Sequence, residues 1–125
     1  MAIIPQLVIG DGKAAEAIEF YKALFGAREE RRVPGESGKI MHSELFFAGG
    51  VVHVNDDFGP SSAPAMTALF LGLDKAAEVD ALIAKAKAAG ASIIQEAQDM
   101  FWGDRFGMFR DPYGHRWHAG APKAN

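Results

Sequence analysis

Histidine is the side chain in this sequence best suited to chemistry near neutral pH, and Glu44 follows His42 after one residue. On a strand, that spacing puts both side chains on one face. A functional interpretation makes His42 a general base tuned by Glu44. The other interpretation is an exposed polar face of an antiparallel strand, with Met41, Ser43 and Leu45 opposite. Both interpretations stay open, and His42 and Glu44 are the catalytic candidates.

The second concentration of unusual residues is FWGDRFGMFRDPYGHRWHAG, residues 101–120, which is rich in aromatic residues, histidine and glycine. Its DPYG segment predicts a turn, because Pro112 sets φ at the second position and Gly114 accepts positive φ. The aromatic residues are not needed for a turn. They indicate either the core, as we expect for Phe109 or Trp117, or the wall of a binding site.

Composition excludes several classes of function. The 125 residues contain no cysteine, so thiolate catalysis, disulfides and cysteine-based metal sites are excluded. No glycine-rich loop suited to a phosphate or to S-adenosylmethionine is present. A net charge of −3 gives no footprint for nucleic acid. No apolar run could span a membrane and no secretion signal is recognisable, so we expect a cytoplasmic protein.

Two amphipathic helices must position these residues. Asp11 is the expected N-cap of the first and Gly26 its stop, whereas Asp74 begins the second and Gly90 ends it. The apolar stripe of the first helix comprises Ala14, Ala17, Ile18, Tyr21, Leu24 and Phe25. That of the second comprises Val79, Leu82, Ile83, Ala86 and Ala89.

The segments around the helices repeat at an offset of roughly 63 to 65 residues. One strand precedes each helix and three follow it, which predicts an α+β fold of two βαβββ modules. A duplicated ferredoxin-like unit would not supply three strands after each helix. We place the modules at about 1–57 and 65–121, within a single domain, and the linker at about 58–64 in DDFGPSSAPA.

Three phrases, AIEFYKALFGA, KIMHSELFFAGGVVHVND and WGDRFGMFRDPYGHRWHAG, resemble the vicinal oxygen chelate superfamily. This superfamily contains glyoxalase I, bleomycin-resistance proteins and extradiol dioxygenases, and the resemblance is strongest to its PhnB-like branch. It implies that the modules form a cup-shaped mixed sheet. In metal-dependent relatives the first and last strand of each module contribute one ligand each.

The resemblance identifies His118 and His53 as last-strand candidates for metal ligands; they are 65 residues apart, close to the repeat offset. At the first-strand positions the chain offers Gln6 and Thr67, which are poor ligands for a transition metal. Glu44 could complete a two-histidine, one-carboxylate site if its strand turns it inward. We therefore expect either a divalent ion (Zn, Ni, Fe or Mn) at His53, His118 and Gln6, or histidines with a pocket or structural role.

Two functions are compatible with the resemblance. The first is a binding protein that sequesters a planar or amphipathic compound, with Trp102, Phe101, Phe106, His42 and Arg105 as ligand-binding residues. The other interpretation of Trp102 is that its side chain covers the protein's own core. The second function is a metal-dependent isomerase, lyase or dioxygenase. The resemblance also implies a homodimer with a small-molecule ligand, and a structural module with an empty cup is the third alternative.

Overall fold

The structure is a computed structural model that describes residues 1–58 and 67–125. The chain divides into two compact units, here called the first and second modules, and each has the predicted βαβββ order. The α+β class is thereby confirmed. Most of the expected linker, about 58–64, lies outside the described residues. No helix in the described ranges is long and apolar enough to cross a membrane.

The first module is a four-stranded mixed sheet with one helix. Strand order is β1-β4-β3-β2, with β1 parallel to β4 and the other pairs antiparallel. Its elements are β1 (Gln6–Ile9), α1 (Ala14–Phe25), β2 (Arg28–Pro34), a 3₁₀ turn (Glu36–Gly38), β3 (Ile40–Phe47) and β4 (Gly50–Asp56).

The second module repeats this arrangement. Its order is β5-β8-β7-β6, with β5 parallel to β8. Its elements are β5 (Ala68–Gly72), α2 (Ala76–Ala88), β6 (Ser92–Asp99), β7 (Asp104–Arg110) and β8 (Arg116–Pro122).

Each helix covers one face of its own sheet. The predicted stripe of α1 is buried from Ala14 to Leu24, and that of α2 is buried at Val79, Ile83 and Ala86. The sheet side chains that pack beneath alternate along each strand, as Leu45, Val52 and Val54 do in the first module. The intervening side chains therefore lie on the face that the helix does not cover.

The predicted N-caps are wrong, whereas the predicted stop at Gly26 is confirmed by its left-handed conformation, φ 67°. Lys13 is the N-cap of α1, and the side chain of Asp56, from the end of β4, accepts the Ala14 N–H at 3.0 Å. α2 begins after Lys75, whose N–H is accepted by Glu78 at 2.8 Å. Asp11, with a φ of 59°, lies two residues before the N-cap, in the turn that precedes the helix.

The core of the second module contains both Phe109 and Trp117, each almost completely buried. The predicted DPYG turn is organised by the buried carboxylate of Asp111. It accepts the N–H groups of Tyr113 and His115 and, at 2.9 Å, the indole N–H of Trp117. Part of the aromatic stretch is thus core, as predicted.

Candidate functional site

The face of the first sheet that α1 does not cover carries a row of polar side chains across three strands. His53 on β4 lies between Gln6 on β1 and Glu44 on β3 in the sheet register. The β3–β4 hairpin sets this register through a two-residue turn, Ala48 and Gly49, with φ of 52° and 74°. Positive φ at both central residues is the requirement of a type I′ hairpin turn.

His42, Glu44 and His53 form one group, here called the His–Glu cluster. His42 Nε2 lies 2.6 Å from Glu44 Oε2, and the rings of His42 and His53 meet edge to face with centroids 4.7 Å apart. One potential ligand atom from each of the three residues lies within 4.8 Å of the other two. The side chains are partly buried, with 31% of His42 and 23% of Glu44 exposed. The two catalytic candidates therefore join one of the predicted metal ligands.

The charge of Glu44 is stabilised within the cluster. The hydrogen bond from His42 holds the pKa of the Glu44 carboxyl below its ordinary value, and nearby positive charge adds to the effect. Arg31, on β2, contributes with its Nη1 3.8 Å from Glu44 Oε2. Glu44 is thus an anion at neutral pH, able to accept a hydrogen bond or to ligate a cation.

Two chemistries suit the His–Glu cluster. A histidine hydrogen-bonded to a carboxylate is a general acid–base pair. Two imidazoles and a carboxylate are also the donor set of two-histidine, one-carboxylate metal sites. Gln6 lies beside the cluster, with its amide nitrogen donating to Asn55 Oδ1 at 2.7 Å.

The uncovered face of the second sheet is aromatic at the corresponding positions. His118 on β8 lies between Phe70 on β5 and Met108 on β7, where His53 lies between Gln6 and Glu44. Phe106 lies against His118 with ring centroids 5.4 Å apart, as His42 lies against His53. The two modules share a backbone plan but differ on this face.

Phe70, Phe101, Trp102 and Phe106 form a contiguous group, here called the aromatic cluster. Phe106 stacks on Phe70 with ring centroids 6.2 Å apart and meets Trp102 edge to face with centroids 5.9 Å apart. The centroids of Phe101 and Trp102 are 5.1 Å apart. Trp102 also donates its indole N–H to Asp104 at 3.1 Å. The cluster is exposed despite these contacts: 60% of Phe70, 96% of Phe101 and 50% of Trp102 are accessible.

His118 lies beside the aromatic cluster and contacts the ring of Phe106. Its Nε2 is buried and has no hydrogen-bond partner among the residues described. Burial lowers the pKa of the imidazole, and the positive charge of Arg116 lowers it further. A neutral ring with a free donor or acceptor atom is the consequence.

Comparison with known proteins identifies the family. Residues 3–119 match the profile of the glyoxalase/bleomycin resistance protein/dioxygenase superfamily. This chain belongs to that superfamily. An uncharacterized protein of Mycobacterium bovis is 40% identical over 129 aligned positions, covering 97% of this chain and 83% of the relative.

Solved structures share the fold of this chain. The crystal structure of PA1353 from Pseudomonas aeruginosa has a TM-score of 0.86 and 27% identity, over 99% of each chain. A PhnB protein of Bacillus cereus has a TM-score of 0.78 over 99% of this chain and 100% of its own, but at 21% identity it shows the fold alone.

The expectation for the first strand of the second module needs correction. Thr67 was the candidate ligand there, and on a strand its side chain would share a face with those of Leu69 and Leu71. Leu71 is buried, whereas Phe70 is the register partner of His118. The first-strand residue beside His118 is therefore a phenylalanine, which cannot ligate a metal. The repeat offset pointed to Phe70, because Gln6 lies 64 positions before it.

Arg105 is held apart from the other ligand-binding candidates. Its guanidinium makes two hydrogen bonds to Asp80 of α2, at 2.7 and 2.9 Å, and one to Asp99 at 3.3 Å. Both carboxylates therefore pair with the guanidinium that was expected to bind a ligand. On β7, Arg105 alternates with Phe106 and so lies on the side of the sheet that carries α2.

Proposed function

We propose that this protein binds a planar or amphipathic small molecule against the aromatic cluster of its second module. The exposure of Phe70, Phe101 and Trp102 is the observation that carries the proposal. Contiguous exposed apolar surface marks sites of binding, because water contact with it is unfavourable. No chemical step is required of such a protein.

The geometry of Trp102 supports this function. Asp104 and the neighbouring aromatic rings restrain the indole, so a ligand would lose little free energy in ordering it. Stacking on an aromatic ring contributes about 0.5 to 1.5 kcal/mol beyond area burial. The net charge of −3 favours a cationic ligand over an anionic one.

The proposal includes sequestration of the kind implied by the bleomycin-resistance relatives, membership of the PhnB-like branch, a homodimer and a cytoplasmic location. A second copy of the chain could also cover exposed apolar surface. Light scattering measures the molar mass of the wild type and of Trp102→Ala and so distinguishes a dimer contact from a ligand site. Loss of the dimer in the variant would place the aromatic cluster at the dimer contact.

The test is dye binding, followed by fluorescence anisotropy of the dye in the presence of a chelator. The probes are proflavine, a flat cation, and anilinonaphthalene sulfonate, an anion. Trp102→Ala and Phe101→Ala should each weaken proflavine binding about two- to tenfold, the value of one stacking contact. The matched control is Phe58→Ala, which removes a 54% exposed phenylalanine from the first module.

Two results would contradict this function. One is that neither dye binds. The other is that the three variants bind proflavine equally well, because binding would then not involve the aromatic cluster.

A second candidate function is a metal-dependent isomerase, lyase or dioxygenase with His53 and His118 as ligands. The buried, unpaired Nε2 of His118 favours it, since a free imidazole nitrogen is a ligand for a transition metal. Phe70 and Met108, the neighbours of His118 in the sheet, disfavour it. Elemental analysis of the wild type and of His118→Ala tests it: retained metal in the variant would exclude His118 as a ligand.

A further inference from the structure

The His–Glu cluster belongs entirely to the first module, and the adjacent strands β3 and β4 carry its three members. Two of its members, Glu44 and His53, are paired directly across β3 and β4, and His42 lies on the same face of β3. The hairpin turn at Ala48 and Gly49 sets that pairing, so the backbone and not a flexible loop brings the three side chains together.

We propose that His42, Glu44 and His53 bind one divalent transition-metal ion without any ligand from the second module. This site differs from the assignment to His53, His118 and Gln6, because two of its three ligands come from β3. It is also independent of the proposed binding function, which uses other residues.

The donor atoms fit a transition metal better than magnesium or calcium. Two imidazole nitrogens favour zinc, iron, nickel or copper, whereas magnesium and calcium are bound by oxygen. Bonds of about 2.0 to 2.2 Å to nitrogen and oxygen place two ligand atoms roughly 3 to 3.5 Å apart. The three atoms here, all within 4.8 Å of one another, need only small side-chain rotations to reach that spacing.

The hydrogen bond between His42 and Glu44 prepares the site. At 2.6 Å it holds the two potential ligands side by side and partly buried, so little side-chain ordering remains for a metal to induce. Three protein ligands would leave positions open for water or for oxygen atoms of a ligand.

Arg31 should lower the affinity of the His–Glu cluster for a metal ion. Its Nη1, 3.8 Å from Glu44 Oε2, places a second cation beside the carboxylate. The side chain is 64% exposed and can swing away, yet its charge would still lower the affinity for a divalent ion. The proposal therefore predicts that removing this charge strengthens metal binding.

The corresponding positions in the described part of the second module offer no equivalent set. Phe106, Met108 and His118 stand where the first module has His42, Glu44 and His53, and only one of these three is a metal ligand for this class of ion. One metal per chain is the expected stoichiometry.

The experiment measures metal content and affinity directly. Untagged protein is treated with a chelator and dialysed against Zn²⁺, and the bound metal is counted by elemental analysis. In parallel, Co²⁺ is titrated and its visible absorption reports the ligand set. We expect about one ion per chain in the wild type, and at least a tenfold loss of affinity in His53→Ala, His42→Ala and Glu44→Gln.

Control variants make the test specific. His118→Ala and His115→Ala remove the two remaining histidines of the sequence and should keep the wild-type stoichiometry. Arg31→Gln should bind Co²⁺ several-fold more tightly. Circular dichroism and urea unfolding of each variant identify any that fail to fold; because Arg31→Gln must gain affinity, a folding defect elsewhere cannot imitate the expected result.

Three results would overturn the proposal. The first is that the wild type takes up no ion, the second that His118→Ala loses its ion together with His53→Ala, and the third that Glu44→Gln and His42→Ala keep it. The second of these would support the assignment shared between His53 and His118. None of them bears on dye binding in the presence of chelator, so this proposal and the proposed function fail separately.

Discussion

His53 and His118 occupy the same position in the two sheets, each on the last strand of its module and between the first and third strands. Their surroundings differ completely. His53 has an amide and a carboxylate beside it, whereas His118 has a phenyl ring and a thioether. Internal symmetry thus preserves the backbone positions while the chemistry of the two faces has diverged.

Substitution of Asp56 should strongly lower the stability of the first module. Its buried carboxylate accepts the N–H of Ala14 at 3.0 Å and that of Ile40 at 2.7 Å, joining α1 to β3. Asp56→Ala leaves both donors without this partner, which should lower the free energy of unfolding by about 2 to 5 kcal/mol. Urea unfolding measures the change. The exposed Asp74 provides the control, since Asp74→Ala should change stability by less than about 0.5 kcal/mol.

The hairpin turn that sets the His–Glu register can be strengthened. Ala48 has a φ of 52°, a left-handed conformation that costs a residue with a Cβ about 1 to 2 kcal/mol. Ala48→Gly should therefore raise the free energy of unfolding by about 0.5 to 1 kcal/mol, after the larger unfolded-state entropy of glycine is included. Gly49→Ala should lower it, because Gly49 has a φ of 74°. Equal melting temperatures for both variants would contradict this description of the turn.

Arg105 should make no contribution to dye binding. Its guanidinium is engaged with Asp80 and Asp99, on the helix side of β7, while the aromatic cluster lies on the other side. We expect the proflavine dissociation constant of Arg105→Gln to stay within about twofold of the wild type. A tenfold weakening with unchanged circular dichroism would instead place Arg105 in the binding site.

His118 should make stability depend on pH in the metal-free protein. Burial and Arg116 lower its pKa from the ordinary 6.5, so the native state takes up this proton at lower pH than the unfolded chain. Between the native pKa and 6.5 the unfolded state binds more protons, and stability due to this group rises with pH. Above that window the contribution of His118 is fully retained; it declines as the pH falls through the window.

Comparison with His118→Gln isolates this effect. Urea midpoints are measured with chelator from about pH 8 to about pH 5, the range in which histidine titrates. The wild type should lose stability relative to His118→Gln on acidification. A constant difference between the two proteins across this range would show that the native environment leaves the imidazole free to protonate.

Much of the architecture was predictable from local patterns. The apolar stripe ending at Leu24 predicted α1, and Gly26 marked its end because a left-handed residue is easiest for glycine. Repetition of one strand, one helix and three strands predicted the second module from the first. The pairing of His42 with Glu44 on one face followed from the two-residue period of a strand.

Three features depended on the tertiary structure. Asp56 caps a helix that begins 42 residues earlier, and no local signal connects it to Ala14. Phe70 was missed because an apolar run does not tell which alternate residues face the helix; burial of Leu71 decides that. Arg105 was assigned by proximity to the aromatic residues, whereas the position of α2 gives it Asp80 as a partner.

The sequence by itself determined the elements, their order and the identity of the histidines and aromatic residues, because backbone periodicity is a local property. Only the tertiary structure decided that Glu44 lies opposite His53 and Phe70 beside His118. Those neighbours result from strand register, which depends on turn geometry and on the face that each helix buries.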